Sequence, residues 1–370
     1  MKNMPRCSLG LLLLALAAVQ QCVLSVGAED DLTDLTFEEF AVKFKKNYQN
    51  VTEKRYRQQV FEANKVEIQR LNNFSNGDLN SPLFSINQFA DLTPAEFKSF
   101  YFIENSRLKT HLKGIHYPVA NADGRDMRSV DDLKSLPDEK NWYLKATTAV
   151  RNQGQCGSCW AYSCVEQVES DWFLSGKSGK QVTELSTQQV IDCDVSGAYG
   201  CGGTYAGGTS GYDFIEKNGG LASYAAYPDT SSKTGSAGKC KHAPVSGGTI
   251  KNSSYAVKPC LLPWDDCKHQ DEDGVLQYIG TKGPLSICVN ARQWIYYKSG
   301  IMTGSHCGSS DHGSLDHCVQ LVGYNRSDKS APYWIVRNSW DTSWGQGGFI
   351  YLAMGNNTCG VADVPSFAVV

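Results

Sequence analysis

The spacing of apolar residues predicts that the N-terminal part of the chain is rich in helices and the C-terminal part is rich in strands. From Leu35 to about Leu71, large apolar side chains return at steps of three and four residues, the period of an amphipathic helix, and no proline interrupts them. A short strand, a turn and a new helix are predicted by the next stretch, SPLFSINQFADLTPAEF, where Asp91 or Thr93 would cap the helix ahead of Pro94. We therefore expect a compact helical unit over residues 29–103.

Residues 104–135 are polar, contain Gly and Pro, and keep neither the helical nor the strand period, which is typical of a linker. We place a processing boundary at the end of this segment. From residue 136 the chain becomes rich in Gly, Cys and Trp, with a helix predicted over residues 159–174 and strands further on. The strand-like runs are PLSICVNA, HCVQLVGY, YWIVRNSW and FIYLAM.

The first residues have the pattern of an export signal. Lys2 and Arg6 precede the apolar run LGLLLLALAAV, and small residues suited to cleavage follow near Ala28. The run is short for a bilayer span and no second one follows, so we expect a signal peptide over residues 1–28 and no membrane anchor. The protein would then enter the secretory pathway and reach a lysosome or the extracellular space.

Composition narrows the classes of function. The 370-residue chain has a net charge of -3 and no block of positive charge, which argues against a nucleic-acid partner. Twelve of its 14 cysteines follow Gly154, and in an exported protein this favours disulfides over zinc. Glycosylation sequons, which fit the same route, begin at Asn50, Asn73, Asn252, Asn325 and Asn356.

Candidate chemistry begins with NQGQCGSCWAYSC, residues 152–164. Cys159 lies at the start of the predicted helix, where unpaired N–H groups and the helix dipole lower the pKa of a thiol and favour the nucleophilic thiolate. A base and a group that orients it are then needed. His317 on one strand-like run and Asn338 just after another are the candidates, with Trp340 and Trp344 able to cover them.

The cysteine spacing alone is also compatible with two other kinds of site. Cys156 and Cys159 form a C-x-x-C pair, which is also found in thiol oxidoreductases and predicts a reducible bond between the two. The same pair could hold zinc if further ligands lay close to it and completed the coordination. The candidates for those ligands are His306, Cys307, His312, His317 and Cys318.

Three motifs, NQGQCGSCW, LDHCVQLVGY and NSWDTSWGQGGF, occur in the order seen in the papain family of cysteine proteases, which the chain resembles. The resemblance implies an α+β fold with a helical N-terminal lobe, a β-barrel-like C-terminal lobe and a cleft between them, formed by residues 136–370. It implies that Cys159 is the nucleophile, His317 the general base and acid, and Asn338 the residue that orients His317. Gln153 would donate to the oxyanion, and Trp340 would shield the imidazole from solvent.

The N-terminal unit resembles the inhibitory propeptide of the cathepsin L-like group. The spaced residues that match are Glu53, Arg57, Phe61, Asn64, Ile68 and Asn72. Asn87, Phe89 and Asp91 resemble a second motif of that propeptide, although Ser85 replaces its usual Gly and affects the expected turn geometry. The chain would be a zymogen whose tail threads the cleft. The stretches STQQVIDC, APYWIVRNSW and NNTCGVAD place it nearest to cathepsin O.

The resemblance also implies disulfides between Cys156 and Cys201, Cys193 and Cys240, and Cys307 and Cys359. Proximity suggests a fourth, between Cys260 and Cys267. Cys164, Cys288 and Cys318 remain unassigned.

Residues matching the pocket for the side chain two places before the cut bond are Cys288, Leu315, Cys318 and Val364. All four are uncharged, so we expect Leu, Val or Phe there and poor acceptance of Arg. Cys288 and Cys318 would face one another across neighbouring strands. We expect two free thiols packed as small hydrophobes; the alternative, a disulfide that narrows the pocket, requires Cα atoms within about 7 Å.

Some features depart from the family pattern. His317 and Asn338 lie further after Cys159 than the roughly 130–150 residues that are usual. The Gly-rich segment at 200–214 is long, and Asp341 replaces Gly, so we expect an altered cleft rim.

No His-His pair of the carboxydipeptidase type occurs, which favours internal cleavage. A catalytically silent, partner-binding member of the family is the competing hypothesis. The expected partners are polypeptide substrates, the propeptide and cystatin-like inhibitors, with no cofactor or metal and a monomeric state.

Overall fold

Two units pack against each other in the computed structural model. It describes residues 34–75, 80–103, 130–195, 198–204, 210–260, 267, 269–308 and 314–370. The predicted signal peptide and most of the predicted linker lie outside these residues. Within them, no helix is both long enough and apolar enough to cross a membrane.

The N-terminal unit, residues 34–103, consists of α1 (Phe37–Lys43), α2 (Val51–Phe74), β1 (Leu83–Phe84) and α3 (Pro94–Tyr101). The helical pattern after Leu35 is therefore two helices rather than one. Lys45 adopts a left-handed backbone (φ 51°), and Asn50 caps α2 by accepting the N–H of Glu53 at 2.9 Å. Thr93 caps α3, in which Pro94 is the first residue, as one of the two predicted alternatives.

Amide side chains on α2 hold the rest of this unit in place. The Asn64 side chain donates to the carbonyls of Ala90 and Leu92, both at 2.8 Å. The Asn72 side chain donates to the carbonyl of Phe84 and accepts its N–H, again at 2.8 Å. These bonds satisfy backbone groups that β1 and the following turn cannot pair between themselves.

The C-terminal unit follows from residue 130. Its helices are α4 (Val130–Ser135), α5 (Cys159–Leu174), α6 (Thr187–Cys193), α7 (Ser210–Asn218), α8 (Ser231–Thr234), α9 (Glu272–Thr281) and α10 (Gly304–Cys307). Its strands are β2 (Glu139–Asn141), β3 (Asn252–Tyr255), β4 (Leu285–Val289), β5 (Tyr297–Ser299), β6 (Ile301–Met302), β7 (His317–Asn325), β8 (Tyr333–Arg337), β9 (Phe349–Ala353) and β10 (Ser366–Val369). Helix α4 was not predicted, because its six residues are too few to display a period.

Helix α5 lies between a helical lobe and a sheet lobe. The sheet has the order β3-β10-β4-β7-β8-β9-β6, with β2 also paired to β7, and all its pairs are antiparallel except β6 with β9. One side of α5 faces β4, β7 and β10, and the other faces α6 and α7. The predicted α+β, two-lobe architecture is confirmed.

The N-terminal unit binds the sheet lobe through backbone pairing. Strand β1 is antiparallel to β5, with Leu83 opposite Ser299 and Phe84 opposite Tyr297. The Ser85 N–H then donates to the carbonyl of Tyr296 at 2.9 Å. Ser85 has no left-handed backbone, so a non-glycine residue fits this turn without strain.

Five disulfides lie in the described part of the chain. They are Cys156–Cys201, Cys193–Cys240, Cys260–Cys267, Cys288–Cys318 and Cys307–Cys359. The expectation that Cys288 and Cys318 are free thiols is wrong, because strand pairing places their Cα atoms 4.0 Å apart, within bonding reach. Cys159 and Cys164 are the cysteines of this part that remain thiols.

Candidate active site

Cys159 is the first residue of α5, as the sequence predicts, and a tight loop delivers it there. The preceding residues are anchored by the Cys156–Cys201 disulfide and by the Gly157 N–H, which donates to the Cys201 carbonyl at 3.0 Å. A Cβ atom at Gly157 would lie 2.5 Å from that carbonyl oxygen, so the loop requires glycine. The backbone N–H of Cys318, on β7, acts to lower the pKa of the Cys159 thiol.

His317 and Asn338 meet because β7 begins at the first and β8 ends just before the second. The His317 Nε2 atom and the Asn338 Oδ1 atom are 2.7 Å apart, and both side chains are fully buried. Asn338 Oδ1 also accepts the N–H of Ser339 at 2.8 Å, so this atom acts as an acceptor and His317 Nε2 carries the proton. His317 Nδ1 is buried and has no hydrogen-bond partner, which leaves it available to a reacting group.

Aromatic rings cover the imidazole, including that of Trp294 at a centroid distance of 6.2 Å. The Trp340 ring stacks on His317, with centroids 4.7 Å apart and an interplanar angle of 30°. The Phe102 ring, from the N-terminal unit, lies 5.9 Å from the imidazole centroid. The pair formed by His317 and Asn338 is therefore shielded from water.

The Gln153 amide is held in one orientation. Its Oε1 atom accepts from the Ser339 hydroxyl at 2.7 Å, while Nε2 donates to the carbonyls of Cys156 at 2.9 Å and Tyr101 at 3.3 Å. Because Tyr101 belongs to the N-terminal unit, this amide donor faces a carbonyl presented in the cleft. A donor fixed in this way is suited to bind an oxyanion.

The last described residues of the N-terminal unit run through the cleft. Beyond Tyr101, the Ile103 N–H donates to the Asp316 carbonyl at 2.8 Å. Ile103 is 3% exposed and packs against Gly203, where a Cβ atom would lie 3.0 Å from its Cγ2 atom. The N-terminal unit thus contacts the candidate site at Gln153, through Tyr101, and beside His317, through Ile103.

The residues expected to line the substrate pocket come together. Cys288, Leu315, Cys318 and Val364 belong to one buried cluster that also contains Cys159 and Ile103. Trp340 belongs to a different cluster, in which it contacts Phe89, Phe97 and Tyr101 of the N-terminal unit.

Burial favours the neutral forms of the candidate nucleophile and base in this form of the protein. Burial raises the pKa of the Cys159 thiol to about 12, against the opposing effect of backbone N–H groups that include that of Cys318. Burial also lowers the pKa of His317 to about 4, although the bond to Asn338 opposes this shift. The backbone N–H groups at the start of α5 lower the pKa of the thiol as expected, but in this covered form the loss of water around the thiolate outweighs them.

Sequence reasoning missed two supporting residues. Ser339 orients Gln153 through its hydroxyl. The only feature of the sequence that pointed to Ser339 was its position inside the NSW motif. Asp316 is fully buried and accepts the N–H of Ala291 at 2.8 Å and that of Arg292 Nε at 3.2 Å. Burial raises the pKa of Asp316 to about 6. The feature of the sequence that pointed to Asp316 was its position directly before His317.

The redox-pair hypothesis is contradicted, because Cys156 is bonded to Cys201 and not to Cys159. The zinc hypothesis loses two further candidates, since Cys307 and Cys318 also form disulfides. Among the residues that the structure describes, no three His, Cys, Asp or Glu side chains are grouped to hold a metal. His312, another candidate, lies outside these residues.

Comparison with known proteins gives two family matches. The model described as "Papain family cysteine protease" matches residues 136–369. The model described as "Cathepsin propeptide inhibitor domain (I29)" matches residues 37–97.

Relatives match over nearly the whole chain. "Cysteine proteinase 1" of Dictyostelium discoideum is 34% identical, over 90% of this chain and 92% of its own. "Cathepsin L1" of Drosophila melanogaster is 31% identical, over 97% of this chain and 90% of its own. Among solved structures, the recombinant stem bromelain precursor superposes with a TM-score of 0.71 at 30% identity, covering 90% of this chain and 97% of that one. Digestive procathepsin L 3 from Tenebrio molitor larval midgut gives 0.70 at 27% identity, covering 92% and 99%.

We predict that the thiol of Cys159 is unreactive while the N-terminal unit is in place. At pH 7.5, iodoacetamide should alkylate Cys159 at least about 100-fold more slowly in the full-length chain than after removal of residues 29–135, because the reactive species is the thiolate. Peptide mapping by mass spectrometry measures the rate at each cysteine. Cys164, buried in the same helix, is the internal control and should stay unmodified in both forms. Equal rates at Cys159 would contradict the prediction.

Proposed function

The chain belongs to the papain family of cysteine proteases and is made as a zymogen, and we propose that it is an endopeptidase with a Cys159–His317–Asn338 site. The single observation that most supports these roles is the 2.7 Å contact between His317 Nε2 and Asn338 Oδ1. That contact leaves His317 Nδ1 as the nitrogen able to exchange a proton with a thiol and a leaving amine. That the chain is most similar to cathepsin O within this family stays a prediction.

The proposed reaction proceeds through a thioester. Cys159 loses its proton to His317 and attacks the peptide carbonyl carbon, and the oxyanion accepts hydrogen bonds from Gln153 Nε2 and the Cys159 N–H. His317 Nδ1 then gives its proton to the leaving amine as the C–N bond breaks. Water attacks the thioester, His317 takes a proton from that water, and the free acid and the thiol are regenerated.

The geometry argues against a catalytically silent member of the family. A silent protein has no need of an amide held by Ser339 with its donor facing the cleft, or of an imidazole fixed by Asn338. Both groups are oriented by second residues, as catalytic geometry requires.

Partners and location follow from the same proposal. Five disulfides favour passage through an oxidising compartment, so we propose the secretory pathway with a lysosomal or extracellular destination. Polypeptide substrates and cystatin-like inhibitors would compete for the cleft of a monomeric enzyme. Four sequon asparagines have exposed side chains suited to glycans; they are Asn50, Asn73, Asn252 and Asn356.

For the enzyme after processing, we predict that Cys159→Ala and His317→Ala abolish peptide hydrolysis. Gln153→Ala should lower kcat/KM by about 100-fold or more through loss of an oxyanion donor. Asn338→Ala should cost less than His317→Ala, because Asn338 only orients the base.

Fluorogenic peptide hydrolysis measures these effects, with a second protease used to process inactive variants. Cys164→Ala and His306→Ala are the matched controls and should retain activity. Turnover by Cys159→Ala at the wild-type rate would refute the assignment.

We also propose that the mature enzyme begins near Leu136. Leu136 is 8% exposed, and its carbonyl accepts from an Arg326 Nη2–H at 2.6 Å, so the start of residues 136–370 is anchored to β7 and the loop after it. Acidification of the zymogen should release a fragment whose N-terminus, read by sequencing, lies near Leu136. Recombinant residues 29–134 should then inhibit the mature enzyme at micromolar concentration; no inhibition would contradict the propeptide assignment.

A last prediction concerns the side chain two places before the cut bond. The apolar cluster around Ile103 supports a preference for Leu, Val or Phe, because buried Arg would lack a carboxylate partner on the pocket walls. A peptide library varied at this position measures the profile. Strong preference for Arg or Lys would be inconsistent with an apolar pocket.

A further inference from the structure

Tyr162 is a buried residue of α5 that the proposed reaction does not use. It lies three residues after Cys159, within one turn of the helix, and is 3% exposed. Its hydroxyl oxygen is 3.2 Å from the Asn152 carbonyl oxygen and 3.2 Å from the Asp229 Oδ2 atom. Because a carbonyl oxygen and a carboxylate oxygen are acceptors, the hydroxyl donates to both and shares its one hydrogen between them.

The phenol of Tyr162 is a fixed donor. Burial raises the pKa of Tyr162 well above its ordinary value, and the charge of Asp229 acts in the same direction, so the hydroxyl keeps its proton. Asp229 is held in turn, since its Oδ1 atom accepts the N–H of Ser232 in α8 at 3.1 Å. The hydroxyl therefore has a defined position relative to the Asn152 carbonyl.

Asn152 is the residue directly before Gln153, the proposed oxyanion donor. On one side, this segment is joined to the end of β8, because the Gln153 N–H donates to the Ser339 carbonyl at 2.8 Å. On the other side, Tyr162 joins the Asn152 carbonyl to α5, the helix that begins at Cys159. The hydroxyl thus links the backbone that carries the proposed oxyanion donor to the helix that carries the proposed nucleophile.

The residue after Gln153 shows how closely this segment is confined. Gly154 has a left-handed backbone (φ 57°), and a Cβ atom there would lie 1.9 Å from the Ser232 carbonyl oxygen. The same Ser232 donates its N–H to Asp229. Tyr162 and Asp229 therefore join α5 to α8 beside the segment that carries Gln153.

We propose that Tyr162 is a positioning residue for the oxyanion donor, whose hydroxyl fixes the Asn152 carbonyl and thereby the place of Gln153 Nε2 relative to Cys159. The proposal rests on the proposed function and adds a residue to it. A donor must lie within hydrogen-bond reach of the oxyanion as the charge develops, and a displacement of about 1 Å costs on the order of 100-fold in rate. A hydroxyl that prevents such a displacement has a measurable effect without touching the substrate.

The test measures kcat and KM of processed Tyr162→Phe on a fluorogenic peptide. Phe keeps the ring and removes the donor, and the half-buried Asp229 can accept from water instead, so we expect the fold to be retained. We expect kcat to fall by about 10-fold, since the oxyanion develops only on the way to the transition state. KM should change by less than about twofold, because ground-state binding does not use this donor.

A double-mutant cycle with Gln153→Ala separates positioning from a general effect on the fold. If Tyr162 acts through Gln153, its hydroxyl has no donor left to position once the amide is removed. Tyr162→Phe should then lower kcat/KM of the Gln153→Ala enzyme by less than about twofold. A loss of about 10-fold in both backgrounds would show that Tyr162 acts elsewhere and would overturn the inference.

Two further variants are controls. Tyr227→Phe removes a hydroxyl that likewise donates to a carboxylate, that of Asp192 at 2.8 Å, and should leave kcat within about twofold of wild type. Asp229→Ala removes the second acceptor and leaves the Tyr162 hydrogen to Asn152, so its kcat should also stay within about twofold. A loss in Asp229→Ala equal to that in Tyr162→Phe would contradict the inference, because the contact with Asp229 would then carry the effect.

Two other outcomes would overturn the inference. They are a kcat of Tyr162→Phe within about twofold of wild type, and a Tyr162→Phe chain that cannot be recovered folded, since the hydroxyl would then serve the fold and not the site. An inactive wild-type enzyme, or a Gln153→Ala enzyme with wild-type kcat/KM, would instead refute the proposed function. The two failures are therefore distinguishable.

Discussion

The structure depends on the burial of helix α5 between the two lobes. Residues Cys159 to Ser170 of this helix are all buried, including Glu166 and Glu169, and buried charges are stable only when paired. Arg337 lies 3.0 Å from Glu166, and Arg151 lies 2.6 Å from Glu169. Removing one partner of such a pair costs about 3–5 kcal/mol, since the other charge stays buried. Both arginines are therefore tied firmly to α5.

These two ion pairs also place the candidate catalytic groups. Asn338 follows Arg337 directly, and Gln153 lies two residues after Arg151, so each amide is carried by a segment anchored to the helix that presents Cys159. The Ser339 carbonyl accepts the Gln153 N–H at 2.8 Å and joins the two segments. The proposed nucleophile, the proposed oxyanion donor and the residue proposed to orient the base thus share one buried frame. The covering N-terminal unit adds to the burial of this frame, and burial shifts the pKa values of Cys159 and His317 toward their neutral forms.

Local patterns predicted the longer elements, whereas contacts between distant residues were expected only where the resemblance to the papain family supplied them. The helix over residues 159–174 has the expected bounds, because its apolar face and its start are both encoded within it. The break after α1 depends on Lys45 adopting a left-handed backbone, which the apolar spacing does not encode. The Cys288–Cys318 bond depends on the register between β4 and β7, and a shift of one residue would separate the cysteines. For the same reason, neither ion pair on α5 could be assigned from the sequence.

The departure from the family pattern at Asp341 has a local physical explanation. Its backbone is left-handed (φ 72°), a conformation that glycine adopts freely and that Asp adopts more readily than most residues. The Asp341 carboxylate accepts the N–H and the hydroxyl of Thr342, and its own N–H donates to the Arg151 carbonyl at 3.1 Å. These bonds offset the cost of the conformation, which is about 1–2 kcal/mol. Because the Arg151 carbonyl belongs to the segment that leads to Gln153, Asp341 changes the charge of the cleft rim while it keeps the backbone that positions the proposed oxyanion donor.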